Sequence, residues 1–247
     1  MTKKILFAGE SWTTYSTHIK GCDMFYTSVY EEGGKALMAA LKCRGFEVDY
    51  LPNHLAPTAF PDREEILAGY DCVILSDIGS NTLLLAPDTF ERNRKTPNRC
   101  SLLKDYVLNG GALLMIGGYM SFAGIDAKAR YGQTAIQDVL PVECFNIDDR
   151  VELPEGVRPV ICDDSCFLKN LPGEWPEFLG YNRTVLKDGC KLLASINGDP
   201  FLATGEFGKG KSAAFTSDCS PHWGPQEFVD WSGYQQLWTE LIEAITQ

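Results

Sequence analysis

The residues of this sequence best suited to acid–base chemistry lie within positions 200–223. Two apolar strand patterns joined by a Gly-Lys-Gly turn lead there to Asp218, Ser220 and His222, which Trp223 follows. His222 is one of three histidines in 247 residues. Imidazole titrates near neutral pH, and the nearby Asp218 and a shielding Trp223 would tune its pKa. The pattern predicts a general base at His222 oriented by Asp218; the alternative is a surface or structural histidine.

Polar and small residues also follow three other predicted strands. Ligands bind outside the carboxyl ends of the strands in an open parallel sheet, so residues placed there are expected to meet. The predicted substrate-binding residues are therefore Glu10, Ser11, Trp12, Asp77, Gly79, Ser80, Gly117, Gly118, Tyr119 and Trp223.

Several candidate residues have two interpretations. Ser121 would be a nucleophile if it reached the imidazole, and otherwise the N-cap of a short helix. Gly117 and Gly118 would expose backbone N–H groups to an oxyanion, or would only permit a sharp turn. Asp77 would orient the imidazole or form an Asx-turn. Glu10 is expected in an exposed loop.

The elements that must position these residues alternate between strand and helix. This alternation predicts a mainly parallel sheet with right-handed crossovers. Residues 9–26 are expected to form a long loop. The periodicity predicts strands at 4–8, 46–51, 72–76 and 112–116, and helices near 28–43, 62–68, 100–109 and 132–139.

The second half of the chain is less regular, above all over residues 163–190, which carry several turn formers. The last two strands are expected to form a hairpin, and the chain is expected to fold as one domain over residues 1–247. The patterns predict strands near 142–150, 158–162, 192–196, 201–207 and 212–216, and a final helix over 226–246.

The charge and the apolar pattern exclude several classes of partner. The formal net charge is −11, which disfavours sequence-independent binding to nucleic acid and to anionic membranes. No apolar run reaches the roughly 20 residues needed to span a bilayer. The apolar stretch at the N-terminus is too short for a signal peptide, so we expect a cytoplasmic protein.

Nothing in the spacing of possible ligands predicts a metal or a cofactor. The nine cysteines are scattered, and Cys162 and Cys166 have no second Cys/His pair nearby, which disfavours structural zinc. The carboxylates predicted near His222 would suit Mg²⁺ or Mn²⁺, but no spacing motif supports such a site. We therefore expect neither a metal nor a cofactor.

The segments GGYMSFAG (117–124) and SDCSPHW (217–223) resemble the glutamine amidotransferase-like family of the class I superfamily. This resemblance covers nearly the whole chain and implies a flavodoxin-like α/β core, with helices on both faces and a C-terminal β-hairpin extension. Active class I enzymes carry a cysteine in the turn after a strand and a His-x-Glu pair near the C-terminus. This chain has no cysteine between Cys100 and Cys144, and Gly224 stands where the glutamate would be. The resemblance thus implies the fold without ordinary cysteine-dependent glutaminase activity.

Two functional hypotheses remain open at this point. One is a hydrolase or transferase acting on a small polar molecule at the strand ends, with Ser121 or water as nucleophile. The other is a non-catalytic module that binds a small molecule or a protein partner there. A homo-oligomer is a further interpretation of the aromatic C-terminal region, where packing of the last helix is the alternative.

Overall fold

The computed structural model describes residues 2–163 and 167–247, so Cys166 lies outside the described residues. The strands, in chain order, are β1 (Lys4–Gly9), β2 (Ser11–Lys20), β3 (Asp23–Glu32), β4 (Glu47–Leu51), β5 (Cys72–Ser76), β6 (Ala112–Ile116), β7 (Val142–Cys144), β8 (Arg150–Val157), β9 (Val160–Ile161), β10 (Phe178–Asn182), β11 (Thr184–Leu186), β12 (Lys191–Ile196), β13 (Asp199–Phe207) and β14 (Gly210–Phe215).

The helices are mostly short. The α-helices are α1 (Lys35–Cys43), α2 (Ala56–Ala59), α3 (Glu64–Leu67), α4 (Ser80–Leu84), α5 (Pro87–Phe90), α6 (Arg99–Leu108), α7 (Gln226–Val229) and α8 (Tyr234–Ile245). Single 3₁₀ turns occur at Ile125–Ala127, Tyr131–Gln133, Ala135–Val139 and Phe167–Asn170. None of the helices in residues 2–163 and 167–247 is long and apolar enough to cross a membrane.

A mixed sheet of eight strands organises the fold, in the order β4-β1-β5-β6-β14-β13-β12-β9. The first five strands run parallel to one another, and each of the last three is antiparallel to its neighbour. β13 and β14 are consecutive and pair up to Phe207 and Gly210, across a two-residue turn. Because β1, β5, β6 and β14 are parallel, their carboxyl ends lie on one edge of the sheet.

Both faces of the parallel strands are covered, which explains their continuous apolar sequences. Side chains alternate across a strand, so Ile5 and Phe7 of β1 pack in one core with residues of α1 and α8. Leu6 and Ala8 pack in the other core, with residues of α6. The buried strands therefore form a rigid base for the loops at their carboxyl ends.

The expected loop over 9–26 is wrong, and so is the early start of the helix near 28. β2 and β3 form an antiparallel hairpin with ten paired positions, from Ser11↔Glu32 to Lys20↔Asp23. Gly21 has φ of 62° at the first position of the two-residue turn, the glycine position of a type II′ hairpin. We call this hairpin, residues 11–32, the arm.

Other differences are local. The helix predicted near 132–139 is two 3₁₀ segments, and β10 and β11 occupy part of the region expected to be irregular. The C-terminal helix is interrupted between α7 and α8, where Ser232 and Gly233 disfavour helix continuation. The aromatic residues Phe228, Tyr234 and Trp238 are buried in the core. Their number therefore gives no reason to expect an oligomer interface at the C-terminal helices.

Candidate functional site

A cavity of about 410 Å³ lies at the carboxyl ends of β1, β5, β6 and β14. Each of these strands contributes to it through the loop that follows, so the cavity is a product of the parallel sheet. Its lining contains three carboxylic acids and one imidazole but no lysine or arginine. The lining residues are Glu10, Trp12, Asp77, Tyr119, Asp218, Ser220, Pro221 and His222.

His222 and Asp218 are in direct contact at this cavity. His222 Nδ1 lies 2.6 Å from Asp218 Oδ2, which also accepts the backbone N–H of Trp223 at 3.0 Å. A carboxylate can only accept, so Nδ1 carries the proton and Nε2 is the nitrogen left for a substrate or water. The Asp218 side chain is 5% exposed and that of His222 is 45% exposed. The pair is thus anchored from the interior and accessible at the imidazole.

The surroundings of His222 favour its protonated form. The hydrogen bond that His222 donates to Asp218 is the main cause of its raised pKa, partial burial opposes the shift, and the charge of Asp218 adds to the increase. The ring packs edge-on against Tyr119 at 4.6 Å and stacks near Trp223 at 5.3 Å. These contacts restrict the ring to one orientation.

Glu10 is buried, contrary to the exposed loop expected from the sequence. Its carboxyl accepts hydrogen bonds from Ser76 Oγ at 2.5 Å and Ser220 Oγ at 2.8 Å. Burial, followed by the negative charges of Asp218 and Asp77, raises its pKa to about 8. Three neighbouring carboxyls cannot all ionise in a buried site, so Glu10 is the one that keeps its proton near neutral pH.

Asp77 is the third carboxylic acid of the site. Burial and the charge of Asp218 raise its pKa to about 6, while the backbone N–H of Met120 donates to it at 2.7 Å and opposes the shift. Asp77 and Glu10 both have positive φ, at 44° and 49°, an uncommon conformation for residues other than glycine. The loops therefore hold both carboxyls in constrained positions.

Two glycines make this close approach possible. A Cβ atom at Gly9, where φ is 109°, would lie 1.9 Å from Ser76 O on the adjacent strand. A Cβ atom at Gly118, where φ is 136°, would lie 2.8 Å from Asp77 Oδ1 and 2.9 Å from Asp218 Oδ1. Neither position accepts a side chain without displacing the site.

The family model described as "Putative glutamine amidotransferase" matches residues 4–247. The chain belongs to this family.

Two solved structures are close in both sequence and fold. The cytoplasmic protein STM3548 from Salmonella typhimurium is 46% identical, with a TM-score of 0.95 over 98% of both chains. The cytoplasmic protein STM1381 from Salmonella typhimurium LT2 is 47% identical, with a TM-score of 0.95 over 99% of this chain and 100% of that one.

More distant likeness concerns the fold alone. A β-galactosidase from Rahnella sp. R3 is 15% identical with a TM-score of 0.51, over 85% of this chain and 26% of the enzyme. No curated protein matches the sequence at a significant level.

Ser121, the nucleophile considered from the sequence, lies in the turn after β6 and is fully engaged there. Ser121 Oγ donates to Ile116 O at 2.5 Å and accepts from Asp77 N at 3.1 Å. The side chain is buried and does not line the cavity. Ser121 thereby joins the loops after β5 and β6, and its hydroxyl proton is already donated.

The backbone amides considered for an oxyanion are also engaged. Gly117 N donates to Phe215 O and Ser217 O, and Gly118 N donates to Asn182 Oδ1 at 2.9 Å. These two glycines permit the turn and hold it against β10 and β14.

Four other predicted substrate-binding residues lie behind the lining of the cavity. Ser11 is buried and accepts Asn53 N at 2.8 Å, Gly79 lies against Met120, and Ser80 N donates to Ala129 O. Trp223 is buried, and its indole N–H donates to Glu152 at 2.9 Å. None of these residues lines the cavity.

The sequence interpretation missed a buried polar network behind the β6 turn. Asp149 accepts the N–H groups of Ala123 and Gly124 and the side-chain amide of Asn182, at 2.8 to 2.9 Å. Burial raises the Asp149 pKa to about 6. Because Asn182 also accepts Gly118 N, the network fixes the turn that carries Tyr119. Asp149 lies at the end of the strand predicted near 142–150 and Asn182 within the irregular residues 163–190, and neither follows a predicted strand of the parallel sheet.

The same site offers no obvious metal centre or thiol nucleophile. No group of three or more His, Cys, Asp and Glu side chains within residues 2–163 and 167–247 is arranged to hold a metal ion. Cys219 is fully buried, and burial raises the pKa of its thiol well above the ordinary value. The carboxyls and the imidazole that line the cavity are Glu10, Asp77, Asp218 and His222.

Proposed function

We infer that the cavity binds a small polar molecule and hydrolyses it by general acid–base catalysis, with water as the nucleophile. The observation that carries this proposal is the 2.6 Å contact between Asp218 and His222 in the cavity that the buried carboxyl of Glu10 also lines. His222 Nε2 would take a proton from water as the resulting hydroxide attacks the substrate. Glu10 would donate its proton to the leaving group; the imidazolium of His222 would then lose its proton to solvent and the carboxylate of Glu10 would take one up, which restores both groups.

The lining of the cavity limits the class of substrate. It contains three carboxylic acids and no lysine or arginine, and the imidazolium of His222 is already paired with Asp218, so an anionic group would meet net repulsion. Trp12 offers an aromatic ring, which suits cations and sugar-like molecules, whereas Arg150 already lies over the Tyr119 ring at 4.8 Å. The proposed substrate is a neutral or cationic small molecule with an amide, ester or glycosidic bond.

Glutamine hydrolysis is not part of this proposal. The turn after β6 has no cysteine, and the thiol of Cys219 is buried and held protonated. The α-carboxylate of glutamine would also lack a cationic partner in the cavity. We expect no measurable glutaminase activity.

A non-catalytic binding function is the alternative, and one observation favours it. The amides of Gly117 and Gly118 are occupied by other acceptors, so they are unavailable to stabilise an oxyanion. A binding protein of this kind would be stabilised by its ligand and would leave the ligand intact.

The experiment that tests the proposal is a hydrolysis screen with small uncharged and cationic esters, amides and glycosides. His222→Gln and Asp218→Asn should each lower any activity found by about 100-fold or more. The matched control is His54→Gln, which changes an exposed histidine outside the cavity and should keep full activity. Stabilisation by a ligand without turnover would favour the binding alternative, and activity unaffected by His222→Gln would contradict the catalytic role.

Three finer statements belong to the same proposal. In the parallel part of the sheet, β4 lies at the edge and β1 lies beside it, followed by β5, β6 and β14. This order supports a flavodoxin-like core. The single sheet shared by both cores supports one domain over residues 1–247. The names of the two Salmonella relatives support a cytoplasmic location.

A further inference from the structure

The arm is the part of the molecule that the cavity does not explain. Every residue from 12 to 31 is exposed. Ten residues per strand correspond to a ribbon about 30 Å long at the usual rise per residue. A two-stranded ribbon is marginally stable by itself in water, so a free arm of this length has no evident structural benefit.

One face of the arm is strongly apolar. Paired residues share a face and alternate residues do too, which places Tyr15, Ile19, Met24 and Tyr26 together. Their exposed fractions are 79%, 71%, 56% and 67%. We call these four residues the apolar face.

The opposite face is partly covered by its own side chains. Phe25 stacks on His18 with ring centroids 4.5 Å apart, and Lys20 lies over the Phe25 ring. At the base of the arm, Trp12 Nε1 donates to Glu31 at 3.0 Å. On the apolar face Tyr26 Oη donates to Met24 Sδ at 3.5 Å, yet all four side chains remain more than half exposed, so their contact with water is the larger unfavourable term.

The exposed area is of the size that an interface requires. At about 200 Å² for each large side chain, the apolar face and the adjacent Tyr30 expose on the order of 600 Å². A stable protein–protein interface buries about 800 Å² on each partner. Contact between two such faces would therefore supply nearly a complete interface.

Charge identifies the partner that suits this surface. The chain carries a net charge of −11, yet residues 13–30 contain only Lys20 and Asp23 as charged groups, so this part of the arm is neutral. Two copies can meet through their arms without bringing two acidic surfaces together, whereas a basic partner would be drawn to the body instead. A surface that pairs with itself around a two-fold axis also gives a closed dimer.

We propose that the arm is the dimerisation element of this protein, and that the apolar faces of two arms pack against each other in a homodimer. The interface leaves both cavities independent, because it involves the outer part of the arm and not Trp12.

The oligomeric state of the full chain tests this proposal, measured by sedimentation velocity over a concentration series. The wild type should be a dimer. In the first variant, the dipeptide Asn-Gly replaces residues 13–30 and connects Trp12 to Glu31. These two residues are paired across the hairpin, so a two-residue turn can close it there. This variant should be a folded monomer, with the far-UV circular dichroism of the sheet retained.

The second variant keeps the arm and changes only its apolar face, by Tyr15→Ser, Ile19→Ser and Tyr26→Ser. It should also be a monomer, while the control Phe25→Ser with Val29→Ser on the opposite face should remain a dimer. A wild type that is monomeric at every concentration, a truncated variant that still dimerises, or equal loss of dimer in the control would overturn the proposal.

Discussion

Glu10 is the residue whose environment departs furthest from what its sequence position predicts. Its carboxyl is buried beside two others, and its pKa is raised from 4.5 to about 8. A carboxyl whose pKa rises on folding stabilises the fold less as it ionises, so this contribution is lost as pH rises from about 4.5 to 8.

Glu10→Gln should remove that loss, because glutamine keeps the shape without the charge. The unfolding free energy of the variant minus that of the wild type should therefore increase by roughly 2–5 kcal/mol as the pH rises from 5 to 8.5. Urea unfolding at both pH values measures it, with the exposed Glu155→Gln as control. An identical pH slope for wild type and Glu10→Gln would show that Glu10 ionises as it does in the unfolded chain.

Asp149 has a structural role that its neighbour Asp148 does not share. Asp149→Ala leaves three buried donors without an acceptor, and the expected cost is about 3 kcal/mol. Asp148 pairs with Arg150 near the surface, so Asp148→Ala should cost less than about 1 kcal/mol. Chemical denaturation of both variants gives the comparison, and equal costs would argue against the buried network.

The β6 turn depends on glycine at one position above all. Gly118→Ala combines a positive φ with contacts under 3 Å to Asp77 and Asp218, and should cost about 2–4 kcal/mol. Gly189 also has positive φ, at 78°, but has open space around it. Gly189→Ala therefore measures the backbone strain alone, expected near 1 kcal/mol. If the two variants lost the same stability, the close packing of the carboxyls around Gly118 would be disproved.

The sequence predicts the parallel strands well because their apolar runs have one physical cause, burial on both faces. The strand ends then follow from topology, which is why Glu10, Asp77, Asp218 and His222 are found together. The role of Ser121 depends on its contacts with Ile116 O and Asp77 N. The role of Gly118 depends on Asn182 of β10, and the local sequence does not show these partners.

The arm was missed for a different reason. Its apolar alternation is incomplete, because Thr17 separates Tyr15 from Ile19 in β2 and Met24, Phe25 and Tyr26 are consecutive in β3. The available signals were the β-branched and aromatic residues of 11–32 and a Gly-Cys pair at the turn.

At the level of the whole molecule, the cavity should discriminate among ligands by charge. Neutral sugars or small cationic amines that bind should raise the melting temperature, while glutamate and sugar phosphates should leave it unchanged. Trp12→Ala should abolish the stabilisation, and Trp175→Phe, changed in the distant core, should retain it. Stabilisation by anions alone would contradict the charge argument.

The central claim is that Asp218 and His222 form one acid–base unit, and an NMR pH titration of the histidine side chains tests it most directly. The chain has three histidines, so His222→Gln assigns the signal by its loss. We expect the pKa of His222 to lie above 6.5, with the proton of the neutral ring on Nδ1. We also expect this pKa to fall in Asp218→Asn. A His222 that titrates at or below 6.5 and does not respond to Asp218→Asn would contradict it.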